Sequence, residues 1–262
     1  MKDTAIRNAR KISDPAQRLN HVREYLQAMV LRSMHDAGTF ATLSFVGGTA
    51  LRFLFDLPRF SEDLDFSLEG PEYDSVSLAQ KIERDLARQG FAVEVRWKSD
   101  RVVHIGWVRV AELLHDLDLA GLREQKLSVK IKIDTIPPAG AQTEGSLVRK
   151  HILVALRHHD LPSLFAGKVH ALLTRPYTKG RDWYDLVWYL TQRPQPEPNA
   201  ALLRNALGQS KPALTNVPWR DSVCAALEEI DLSAAVRDVR PFLEDAGEAD
   251  LLTRENLLSL LR

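Results

Sequence analysis

Asp63-Leu64-Asp65-Phe66-Ser67-Leu68 alternates polar and apolar residues at every step. A β-strand sends successive side chains to opposite faces. The pattern therefore predicts a strand with Leu64, Phe66 and Leu68 on one face and Asp63 and Asp65 side by side on the other. Two like charges so placed repel, and a bridging cation relieves the repulsion. Hard divalent ions such as Mg²⁺ take carboxylate oxygens together with substrate phosphates. A solvated edge strand has the same pattern, and this stretch alone does not separate the two readings. Further along, Val129-Lys130-Ile131-Lys132-Ile133-Asp134 puts Lys130, Lys132 and Asp134 on one face and the apolar residues on the other. Asp134, at the strand's end, is placed to complete a three-acid metal site with Asp63 and Asp65. A half-buried strand with a charged outer face reads equally well.

Upstream of the acid pair, Phe45-Val46-Gly47-Gly48-Thr49-Ala50-Leu51 reads as a buried strand over Thr42–Val46, a glycine turn and a helix over Thr49–Phe55. Free N–H groups at a helix start favour phosphate, and glycine permits close approach. Neither a Gly-Lys-Ser/Thr phosphate loop nor a G-x-G-x-x-G fingerprint occurs. Helical spacing predicts helices over Pro15–Met34 and Ser75–Arg88, the second closed by Gly90. Strands are expected at Phe91–Trp97, Val102–Val110, Leu127–Asp134 and Ile152–Leu156, with a turn at Pro137, Pro138 and Gly140. From Leu161 onward the pattern is helical, with segments at Ala200–Leu207, Ser222–Ile230, Ser233–Leu243 and Arg254–Leu261. Strands followed by helices, without regular alternation, argue an α+β fold. The expected division is 1–160 and 161–262, with Pro194, Pro196 and Pro198 as a stiff spacer between subregions. His158-His159-Asp160 is expected in a loop and not as a metal site, because adjacent side chains diverge.

Composition narrows the function classes. The chain has 262 residues, 45% hydrophobic and 27% charged, and its 35 basic and 35 acidic side chains cancel. That suits a globular protein of one or two domains and excludes a disulfide-stapled miniprotein, a disordered tail or a fibrous repeat. A neutral chain lacks the global charge of a general nucleic-acid binder, which leaves a local basic surface. With one cysteine, Cys224, no signal-peptide pattern and no run of about 18 apolar residues, a cytoplasmic location without membrane contact is expected.

In the helical half, Leu164 to Arg175 places Lys168 and Arg175 on one helix face about two turns apart, an arrangement that grips a triphosphate or forms a solvated basic stripe. The next helix, Arg181 to Leu190, is apolar nearly all round yet carries Asp182 and Asp185. Buried carboxylates need partners, and Lys168 and Arg175 are the natural ones. An interhelical salt bridge and a functional role both fit.

Taken together, Phe45–Leu51, Arg59-Phe60-Ser61-Glu62-Asp63-Leu64-Asp65-Phe66, Gly167–Leu172 and Lys179-Gly180-Arg181-Asp182-Trp183-Tyr184-Asp185-Leu186 resemble the AbiEii/AbiGii (MenT-like) toxin family. That family belongs to the nucleotidyltransferase superfamily shared with DNA polymerase β. The resemblance runs from about residue 43 to 190 and implies a small mixed or antiparallel sheet, with the helical half completing the active site. It implies Asp63, Asp65 and Asp134 as Mg²⁺ (or Mn²⁺) ligands. Gly47, Gly48, Thr49 and Ser61 would cradle the phosphates of a nucleoside triphosphate, with Lys130, Arg175 and Asp182 in support. Lys168 and Asp185 would join the catalytic set; Asp185, opposite the Trp183/Leu186/Leu190 stripe, is preferred over Asp182. The implied activity is transfer of a nucleoside monophosphate to RNA, the 3′ end of tRNA foremost, which arrests translation and growth, with a cognate antitoxin as protein partner. Transfer to a protein hydroxyl and a non-catalytic partner-binding module are the alternatives.

Overall fold

A computed structural model describes residues 1–262 and divides them into two compact units. The first comprises residues 1–56, 60–137 and 144–158; the second comprises 57–59, 138–143 and 159–262.

The first unit opens with α1 (Lys2–Ala9) and α2 (Pro15–Asp36). Asp14 caps α2 by accepting from the Gln17 N–H at 2.9 Å, and Pro15 occupies the first turn, where its missing N–H costs nothing. Then come β1 (Leu43–Val46), α3 (Gly47–Leu54), β2 (Asp63–Leu68), α4 (Ser75–Arg88), β3 (Val93–Lys98), β4 (Val103–Val110), the short α5 (Leu113–Asp116), β5 (Leu127–Asp134), β6 (Thr143–Lys150) and β7 (Ile152–His159). The strands form one seven-stranded mixed sheet in the order β3-β4-β5-β2-β1-β7-β6. β2 runs antiparallel to β1 and parallel to β5; β4 is antiparallel to both β3 and β5. The α+β expectation holds.

The alternation reads out as expected. Leu64, Phe66, Val108, Val110, Val129, Ile131 and Ile133 are buried, and Phe45 meets Phe66 with ring centroids 5.3 Å apart. α4 buries Leu78, Ile82 and Leu86, one side of the helix. A buried polar network ties α2 to α3. The Arg52 Nε donates to Glu24 Oε2 at 2.6 Å, and the His151 Nε2 lies 2.8 Å from Glu24 Oε1. Burial alone would raise the Glu24 pKa, but the His151 hydrogen bond and the Arg52 charge outweigh it and hold the carboxyl at about 2.

The second unit is helical: α6 (Leu161–Thr174), α7 (Gly180–Thr191), α8 (Ala200–Ser210), α9 (Trp219–Glu229), α10 (Leu232–Val239) and α11 (Arg254–Leu261). Phe165 stacks on Tyr189 at 4.1 Å and meets Trp219 edge-on. At Gly180 a Cβ would fall 1.8 Å from the Ala235 carbonyl oxygen, so glycine is what lets α7 and α10 pack. No helix of either unit is long and apolar enough to cross a membrane.

Several local expectations are corrected. His158 and His159 end β7 and are not in a loop; His158 is buried, with its Nε2 2.8 Å from the Ser146 Oγ. β6 had no counterpart in the sequence reading. It is an edge strand that buries only Val148, so it leaves no apolar alternation. α1 was missed because its buried residues, Ala5 and Ala9, are small. The proline stretch 194–198 lies inside the second unit and is not a boundary. Its end is anchored there by the Asn199 side chain, which donates to the Gly140 carbonyl and the Ser163 hydroxyl.

The Glu24 network yields a pH prediction. A carboxyl whose folded pKa is depressed stabilises the fold above its unfolded pKa, here 4.5, and that contribution is lost as pH falls through about 2. Glu24→Gln is expected to lower unfolding stability by about 3 kcal/mol at neutral pH. Urea unfolding of both proteins between pH 7 and 3 should show the gap narrowing with acid; a gap independent of pH contradicts the assignment.

Candidate active site

Parity places Asp63 and Asp65 on the face of β2 opposite Leu64 and Phe66, both carboxylates about one-third exposed. The parallel register aligns Asp63 with Lys130, Asp65 with Lys132 and Ser67 with Asp134, so all these side chains share that face. The Lys132 Nζ donates to Asp63 Oδ2 at 2.5 Å and lies 3.9 Å from Asp65 Oδ1. An ammonium therefore stands between two carboxylates that would otherwise repel. The sequence puts Lys132 on this face without singling it out; the side-chain distances show that it bridges the acids, although the register sets Lys130 beside Asp63.

Asp134 stands one register step beyond Asp65, and its Oδ1 accepts from the Ile136 N–H at 3.0 Å. No three acidic, histidine or cysteine side chains come together as a metal-holding group. The structure thus brings Asp63, Asp65 and Lys132 together and leaves Asp134 on the same face outside the pair.

The glycine turn closes on the same acids. Gly47 has φ +80°, a backbone region that side chains disfavour, and a Cβ there would lie 2.7 Å from Asp65 Oδ2. Gly48 and Thr49 follow in the first turn of α3. Thr49 is fully buried and its hydroxyl donates to the Asp63 carbonyl oxygen, so it ties the helix start to the acid strand. The Ser61 carbonyl accepts from the Gln27 amide at 2.9 Å, which fixes the approach to β2. Beside Asp63 a cavity of about 690 Å³ opens, lined by Arg23, Lys126, Lys130, Leu19, Leu114 and Leu127 among others. Soft, polarisable ligands are absent here. Hard oxygens two residues apart, already sharing a cationic ammonium, form a donor set that fits a divalent ion of the Mg²⁺ type.

The second unit holds a buried cluster of its own. Arg59, 2% exposed, meets Asp185 in a bidentate pair at 2.5 and 2.6 Å. The Lys168 Nζ lies 2.7 Å from Asp185 Oδ2 and 3.2 Å from Asp182 Oδ1, and the Arg175 Nε lies 2.7 Å from Asp182 Oδ2. Burial would raise the Asp182 pKa, but the charges of Lys168, Arg175 and Lys179 hold it below the ordinary carboxylate value. Burial among cations, Arg181 first, depresses Lys179. The three cations Arg59, Lys168 and Arg175 exceed the two aspartates by one charge. Lys168, Arg175, Asp182 and Asp185 are thus together, as the interhelical reading required. Arg59 lies in the motif that precedes β2, and its partner stands 126 residues away, beyond the reach of any local pattern.

The comparisons agree with this architecture. The family model described as nucleotidyl transferase AbiEii toxin, type IV toxin–antitoxin system, matches residues 30–254. A crystal structure of a candidate nucleotidyltransferase from H. pylori superposes with a TM-score of 0.55 at 18% identity, covering 91% of this chain and 93% of that one. The crystal structure of JHP933 from Helicobacter pylori gives the same TM-score and identity over 95% and 93%. No curated protein matches the chain. The match over most of its length shows that the chain belongs to the AbiEii nucleotidyltransferase toxin family.

Two substitutions test this geometry. Gly47→Ala is expected to displace Asp65 and lower any nucleotidyl transfer at least about 100-fold while the fold survives; near-normal turnover contradicts the close approach. Asp185→Asn removes the main partner of a fully buried arginine and is expected to cost about 3 kcal/mol in chemical denaturation. A change below about 0.5 kcal/mol would remove the cluster's structural role.

Proposed function

We propose that this member of the AbiEii family is a Mg²⁺-dependent nucleotidyltransferase that moves a nucleoside monophosphate from a nucleoside triphosphate to RNA, with the 3′ end of tRNA as the foremost acceptor. One observation carries the proposal. Asp63 and Asp65 project from one strand face onto a shared ammonium, with the Gly47 backbone pressed against Asp65.

Asp63 and Asp65 would hold the divalent ion, which supplies charge neutralisation to the α-phosphate and the attacking oxygen when bound. The chain's own groups do the rest. The Gly47-Gly48 turn admits phosphate oxygens to bare backbone at the start of α3. Lys130 and Lys132 bring positive charge to the same face, and Asp134, beyond the pair, is suited to accept the proton of the acceptor hydroxyl. In the second unit, Lys168 and Arg175 carry the excess positive charge that favours phosphate oxygens. Family membership supports a toxin held in check by a cognate antitoxin, and modification of tRNA would arrest translation and growth.

The test combines the purified chain, Mg²⁺, each radiolabelled nucleoside triphosphate in turn and total RNA. Label is expected in tRNA, to disappear with chelator and to fall at least about 1,000-fold in Asp63→Asn/Asp65→Asn. Label that persists in that variant overturns the assignment of the acids. Label in a protein band and not in RNA replaces the acceptor while the site stands.

A further inference from the structure

The register of the sheet places a continuous surface beside the acid pair. Across four strands, Asp63 pairs with Lys130, Lys130 with Trp107, and Trp107 with Arg96. The adjacent row runs from Asp65 through Lys132 and Ile105 to Lys98, and the row on the other side contains Ser128, Arg109 and Glu94. Partners in register share a face, so these side chains stand on the solvent side of β3, β4 and β5, opposite the buried Val108, Val110, Val129 and Ile131. Arg96 is 66% exposed, Lys98 is exposed and Trp107 is half-buried. Away from the acid pair with its bridging Lys132, and from Asp134 at the far corner, this area and its margin carry Arg96, Lys98, Arg109, Lys126 and Lys130 against one carboxylate. That carboxylate, Glu94, is shared by Arg96 at 3.8 Å, Arg109 at 3.5 Å and Lys126 at 2.9 Å.

We infer that this face binds the single-stranded end of the RNA acceptor, with Trp107 as a stacking platform for a base and Arg96, Lys98 and Lys130 along its phosphates. The inference rests on the reading of RNA as acceptor and specifies how it is held. Beyond the acid pair and its neighbours Lys132 and Asp134, the strands and their margin carry an excess of four positive charges on a chain of zero net charge, which favours a polyanion. An indole set among those cations is the arrangement by which proteins hold unpaired nucleotides without reading their sequence. An acidic protein partner would use the charge but has no need of the ring. The row ends at Asp63, where the strand's 3′ hydroxyl must arrive.

Fluorescence anisotropy of a labelled single-stranded oligoribonucleotide, without nucleoside triphosphate and over a salt series, tests the surface on the full chain. Trp107→Ala is expected to weaken binding about tenfold, with Trp107→Phe retaining most of the affinity. Arg96→Glu is expected to weaken binding and to reduce the salt slope by about one. Stabilisation by Mg²⁺ and nucleoside triphosphate in thermal unfolding should be unchanged in all three, and the KM for RNA should rise with little change in kcat. RNA binding and labelling that survive at wild-type level in Trp107→Ala and Arg96→Glu overturn this surface and leave the RNA reading intact. A wild-type protein that neither binds nor labels RNA overturns both.

Discussion

Two carboxylates two residues apart on one strand face repel, and a positive charge standing between them relieves the repulsion. In this protein that constraint organises the first unit. Lys132 supplies the charge from the adjacent parallel strand, and it can do so only because β2 and β5 pair in a register that sets Asp65 beside it. The glycine turn then closes on the same acids because Gly47 has no side chain to collide with Asp65. The arrangement is built around repulsion that the fold has to accommodate, and under the proposed function a divalent ion with phosphate oxygens would satisfy the same charges.

Each unit contains a buried cluster of ion pairs. Glu24, Arg52 and His151 hold α3, the helix that begins at the glycine turn, against α2. Arg59, Asp185, Lys168, Asp182 and Arg175 form the corresponding cluster in the helical unit. Such clusters add little net stability compared with apolar packing, because every charge has been taken out of water. They are costly to break, and they fix geometry: a bidentate arginine–carboxylate pair defines both distance and orientation. The basic, aromatic sheet face beside Asp63 differs in kind, since its charges remain in solvent and are available to a partner.

Much of this was legible in the sequence. Strict alternation assigned β2 and β5 and the correct face to each acid and lysine, and helical spacing assigned α2 and α4. Burial of Asp182 and Asp185 followed from an apolar helix with two acids in it. The misses have physical causes. The edge strand β6 buries too little to show a period, and α1 packs through alanines. Prolines 194 to 198 resembled a linker although neighbouring side chains pin that segment within one unit. The grouping of Trp107 with Lys130 and Arg96 was not legible because these residues meet only across strands.

By itself the sequence determined what is local: the period of the elements that bury a broad apolar face, and the face on which the acids and lysines of β2 and β5 stand. These depend on residues within a few positions of one another. The tertiary structure alone decided which strands lie side by side and in what register. That choice put Lys132 between the acids, left Asp134 a step beyond them, and joined Arg59 to an aspartate 126 residues away. Register and pairing are set by how whole apolar faces pack, and no short window of sequence contains both sides of that contact.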